Sequence, residues 1–257
     1  MKKIRFVVDL DMNLFFHLEK LTGSTKKRFS KTYEAKYPEF ENLTKKFRWE
    51  FDPQVISWKF KKRLKITKGF KLAGAEFGRE IEKIFLEAKK LYKPYWPEIK
   101  NKLFAFRREI ECNKNELEEL VVKIEKFTKI PFKKRINIYL VEALSEEYGN
   151  GAEPLDDGIA IGRTKNPFLL KMRIIHELVH LNLMNKLIMY IPAKYKKDES
   201  KINEAITDLI TFSVLNIKFP KQTRNPYIKL FQPHFHKIKN LENVGKILQK
   251  FFSSVYS

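Results

Sequence analysis

Apolar residues recur at helical spacing along most of this chain and alternate in only a few short stretches. After Asn166-Pro167, a helix start with Asn as cap and Pro at the first helical position, Phe168, Leu169, Met172, Ile175, Val179 and Leu183 predict a helix over about 166–189, closed by Pro192. Asp198-Glu199-Ser200 offers capping chemistry for a second helix, whose stripe is Ile202, Ala205, Ile206, Leu209, Ile210 and Val214. Upstream, Leu117, Leu120, Val121, Ile124 and Phe127 predict a helix over 114–128, ended by Ile130-Pro131, and similar patterns cover about 76–92 and 95–110. The first twelve residues read as a strand, with a helix following through about 21.

The alternating stretches are Arg135–Val141 and Gly158–Gly162, with Val55–Phe60 as a further candidate. Glu147–Gly151 and Asp156-Asp157-Gly158 carry turn chemistry. Beyond residue 217 the prolines Pro220, Pro226 and Pro233 interrupt the pattern before a last helix over about 239–253. The whole reads as an α+β fold, rich in helix, and divides near residue 132 into a basic, mostly helical part (1–131) and a mixed part with a helical tail (132–257).

Composition adds two constraints. The single cysteine, Cys112, excludes an internal disulfide and favours a reducing compartment. Asp9 and Asp11 interrupt the N-terminal apolar stretch, so it is no signal peptide, and no run is apolar enough to span a membrane; the expectation is a cytoplasmic protein without a membrane partner. The net charge is +21, and residues 1–100 carry 25 Lys and Arg against 13 Asp and Glu. Lys59–Lys71 packs seven basic residues into thirteen, interleaved with Phe60 and Phe70. Such a segment either binds nucleic-acid phosphates through counterion release or forms a solvated face in a lysine-rich protein.

The chemistry concentrates in His176-Glu177-Leu178-Val179-His180. On a helix, His176 and His180 share one face and grip one metal ion from the same side. Glu177, about 100° around the helix, reaches a water on that metal without being a ligand and acts as general base. Two imidazoles and a carboxylate are costly to bury unpaired, and a metal removes that cost. A catalytic zinc takes three protein ligands, His₂Glu among the recurrent sets. Glu204 lies 24 residues after His180 on the next helix, a distance that lets the chain reverse and return a carboxylate to the metal, with Asp208 four positions on along the same face.

The pentapeptide followed by Glu204-x-x-x-Asp208 resembles the gluzincins, the thermolysin-like zinc metallopeptidases, over roughly residues 136–216. The resemblance implies a minimal zincin core of small sheet, metal helix and glutamate helix. It implies Zn²⁺ held by His176, His180 and Glu204, with Asp208 orienting a ligating histidine, most naturally His176. The implied activity is hydrolysis of peptide bonds in a peptide or protein substrate, by a zinc-bound water with Glu177 as base. In that family an edge strand pairs with the extended substrate, which here falls on Gly158, Ile159, Ala160 and Ile161, with small residues admitting the peptide backbone. The family's oxyanion donor is a Tyr or His outside the two motifs; Tyr195 is the first candidate, then Tyr190, His234 and His236. Two other functions stay open: a nucleic-acid-associated protein with a regulatory or structural zinc, and a latent peptidase whose own segment 217–257 fills the fourth coordination position.

Overall fold

The computed structural model describes residues 3–22, 30–43, 75–132, 135–149, 151–155, 157–183, 187, 191, 193–219, 225–233 and 246. The Val55–Phe60 strand, the basic Lys59–Lys71 segment and the helix expected over 239–253 lie outside these residues, apart from residue 246. The helices are α1 (Leu10–Thr22), α2 (Ser30–Lys36), α3 (Ala75–Tyr92), α4 (Trp96–Glu111), α5 (Lys114–Thr128), α6 (Pro167–Leu183), α7 (Glu199–Val214) and α8 (Pro226–Phe231). The strands are β1 (Ile4–Val7), β2 (Ile136–Leu140), β3 (Ala152–Leu155) and β4 (Gly158–Ile161). The protein is therefore α+β, dominated by helices, with one small mixed sheet. Among the described residues no helix is long and apolar enough to cross a membrane.

Contacts gather the chain into two compact units. One comprises Met1–Ile4, Asn113–Ile136 and Lys171–Ser257, and the other Arg5–Cys112 and Asn137–Leu170. Each takes residues from both sides of position 132, because the first strand joins the sheet made by residues 136–161.

In the second unit the sheet runs in the order β1-β2-β4-β3. β4 pairs parallel with β2, Asn137 opposite Gly158, and antiparallel with β3, Ala152 opposite Ile161. This corrects the expectation that Gly158–Ile161 is an edge strand open to a substrate. β4 lies inside the sheet with both sides of its ladder taken, and all four of its residues are buried. β1 and β3 are the outer strands, and Pro154 agrees with the place of β3, because proline has no N–H to give an inner ladder. The small residues serve the chain's own backbone. A Cβ on Gly158 would fall 1.7 Å from the carbonyl oxygen of Asn137, and one on Gly162 would fall 1.7 Å from that of Leu144.

α1 is fastened to this sheet through its first turn. Asp9 Oδ1 accepts from Met12 N at 2.7 Å and caps the helix. Asn13 Nδ2 donates to Leu140 O at 2.9 Å, while its Oδ1 accepts from Glu142 N at 3.0 Å, so one side chain joins the helix to the chain leaving β2. One turn on, His17 is fully buried among Tyr33, Tyr37, Phe40 and Tyr92. Its Nδ1 meets Tyr33 Oη at 2.8 Å. Burial, and then the charge of Lys36, push the His17 pKa down to about 3.

In the first unit α5 and α7 pack together, and α8 packs on α7. Leu117, Leu120, Val121 and Ile124 of α5 are buried while Phe127 of the same expected stripe is only partly so, and all of Ile202, Ala205, Ile206, Leu209, Ile210 and Val214 of α7 are buried.

Candidate metal centre

α6 begins where its sequence places the cap. Asn166 Oδ1 accepts from Leu169 N at 3.0 Å, and Pro167 holds the first helical position. The helix is described as far as Leu183, and residues 184–186 and 188–189 of the expected span lie outside the described residues. Ile174, Ile175, Leu178, Val179 and Leu183 are buried, whereas Phe168 in the first turn stays exposed and is no part of the core stripe. Two contacts fix the helix rotation. Lys171 Nζ pairs with Glu116 of α5 at 2.8 Å, and Asn182 Nδ2 donates to Ile130 O, just past α5, at 3.0 Å. With the apolar face committed to the core, His176 and His180 come out side by side towards α7. Their ring centroids are 4.7 Å apart and the rings nearly perpendicular at 77°.

Three donors converge there. His176 Nε2 and His180 Nε2 are 3.0 Å apart, Glu204 Oε1 is 3.1 Å from the latter, and Glu204 Oε2 is 3.4 Å from the former. In a tetrahedral site with bonds of about 2.0–2.1 Å, neighbouring ligand atoms sit about 3.3 Å apart. The contacts to Glu204 end on its two different oxygens, and the three side chains together have the size of a group that could hold one small divalent cation. The Glu204 side chain is half exposed, so the cluster borders solvent.

The outward ring nitrogens are both held from α7. Asp208 Oδ1 stands 3.1 Å from His176 Nδ1, and the hydroxyl of Thr207 stands 3.2 Å from His180 Nδ1. Burial alone holds the His176 pKa down, but hydrogen bonds to Asp208 and Glu204, with the nearby charges of Glu177 and Asp208, override it and lift the pKa to about 10. Hydrogen bonds from His176 and then His180 hold the Glu204 carboxyl far below the usual carboxylate range.

The structure brings together His176, His180, Glu204 and Asp208 from the residues singled out in the sequence. Glu177 is buried on α6 beside them. Gly158, Ile159, Ala160 and Ile161 belong to the sheet of the other unit. Tyr195 lies in the turn Ala193–Asp198 that precedes α7, and its side chain is outside the described residues, as are Tyr190, His234 and His236. Sequence reasoning missed Thr207. The available signal was a threonine three residues after Glu204, beside Asp208, inside an otherwise apolar stripe. No family model, curated protein or solved structure matches this chain.

Proposed function

We propose that this protein is a zinc-dependent peptidase built on a gluzincin-type pair of helices, acting on peptide or protein substrates. The observation that carries the reading is the triangle of His176 Nε2, His180 Nε2 and Glu204, with edges of 3.0–3.4 Å, beside the buried Glu177. The order along the chain, strands β2 to β4, then α6 with the two histidines, then α7 with Glu204, is compatible with this reading. Zinc suits a donor set of two imidazoles and a carboxylate, and when bound in such a site it acidifies a water and polarises a carbonyl.

The chain's own groups supply the rest. Asp208 holds His176 in the tautomer that presents Nε2 to the ion, and fixes the ring angle. Glu177 accepts a proton from the attacking water as its oxygen bonds to the scissile carbonyl carbon. The same carboxyl then gives that proton to the departing nitrogen as the C–N bond breaks, so the base is regenerated and one water is consumed per bond cut. Glu177 lies one residue from a ligand but on a different side of the helix, which suits a proton carrier that must not bind the ion.

The test joins metal analysis to hydrolysis. Protein purified without added zinc should carry about one zinc per chain and cut an unstructured protein such as casein. The Glu177→Gln variant should keep the zinc and lose cleavage by at least about a hundredfold. Full activity in that variant, or a wild-type chain that does not retain zinc, overturns the proposal.

A further inference from the structure

We propose that Thr207 is a positioning residue of the metal centre, its hydroxyl taking the Nδ1 proton of His180 so that the Nε2 lone pair is left for the cation. This rests on the zinc reading of the site. The two histidines are anchored by adjacent residues of one helix but by different chemistry. His176 has a carboxylate on its outer nitrogen, which can only accept. His180 has a hydroxyl, which both accepts and donates.

Neutral imidazole carries one proton, and its position decides whether the ring can bind a metal. With the proton on Nε2, His180 would bond Glu204 Oε1, 3.1 Å away, and Thr207 would donate to Nδ1; the ring would be satisfied but useless as a ligand. With the proton on Nδ1, Thr207 accepts it and Nε2 faces the other two donors. Thr207 is completely buried and His180 nearly so, so solvent does not replace that acceptor. The β-branched side chain on a packed helix also holds the oxygen in place, since χ1 has few choices there. Thr207 thus does for His180 what Asp208 does for His176, without adding a second negative charge beside Glu204.

Outer partners of metal-bound histidines are worth about 10–100-fold in metal affinity. The Thr207→Val variant keeps the shape and removes the acceptor, and Thr207→Ser restores it. Competition with a chromogenic chelator should show zinc bound about 10–100-fold more weakly by the Val variant, and within about threefold of wild type by the Ser variant. Thermal unfolding of the metal-free proteins should show the Val variant still unfolding cooperatively, with its midpoint lowered because the buried His180 Nδ1 loses its partner, and the Ser variant close to wild type. A Val variant with wild-type zinc affinity, or a Ser variant that binds zinc as weakly as the Val variant, overturns the assignment. Independently of any variant, the zinc-loaded wild-type protein should give a slowly exchanging His180 Nδ1–H resonance with a cross-peak to the Thr207 methyl; its absence also overturns it. A wild-type chain that binds no zinc sinks the proposed function as well, whereas equal binding by the wild type and the Val variant sinks the role of Thr207 alone.

Discussion

Asp208 Oδ1 lies 3.1 Å from His176 Nδ1, on the side of the ring opposite Glu204. Four residues on one turn of α7 therefore carry both a ligand candidate and the group that aims another. Replacing Asp208 by Ala should weaken zinc binding about 10–100-fold while leaving the helix content unchanged, measured by chelator competition and circular dichroism. Undiminished affinity would remove the orienting role of Asp208.

Glu204 and Glu177 carry the same side chain and should respond oppositely to the same substitution. Glu204→Gln removes the anionic corner of the donor triangle, so zinc should be lost on dialysis to well below one per chain. Glu177→Gln should leave it bound. Elemental analysis of both variants, prepared side by side, decides the matter: retention of metal by the Glu204 variant excludes it as a ligand.

The helices of the centre were legible in the sequence because their burial follows the 3.6-residue period. All six stripe residues of α7 are buried, and this fixes where Glu204 and Asp208 emerge. The position of β4 was not legible. Gly-Ile-Ala-Ile has the same pattern at an edge or inside a sheet, and only the parallel pairing with β2, far away in sequence, decides between them. Pro154 was the local clue, since it confines its own strand to the outside. Thr207 was passed over because a threonine within an apolar stripe reads as helix filler until the histidine opposite it is seen.

Glycine at position 162 is demanded by backbone rather than by side chains. Gly162→Ala would bring Cβ against the Leu144 carbonyl, which has no rotamer with which to yield, and should cost about 2–3 kcal/mol in urea unfolding. Gly151→Ala meets only the Cδ2 of the Leu144 side chain, at 2.8 Å, and should cost distinctly less. Equal midpoints for the two variants would contradict the close approach.

Acid should weaken the unit that holds His17. Its pKa is lowered from 6.5 to about 3 by burial and then by Lys36, so the folded form stays neutral where the unfolded chain takes up a proton. The contribution is fully present above pH 6.5 and is lost as the pH falls towards 3. Between pH 7.5 and pH 5 the loss should be about 2 kcal/mol. Urea melts at both pH values should show it, and the His17→Phe variant should show a flatter dependence. An identical pH slope in that variant would mean that His17 is protonated in its aromatic cage.

Pro154 bears on how molecules of this protein meet one another. A bare β-flank is a template on which a second chain can crystallise its own ribbon, and every backbone amide along it helps. At β3, one outer strand of this sheet, one such amide is missing by covalent structure, and no change of solvent or partner restores it. A strand added along β3 would therefore meet one backbone position with no donor to offer.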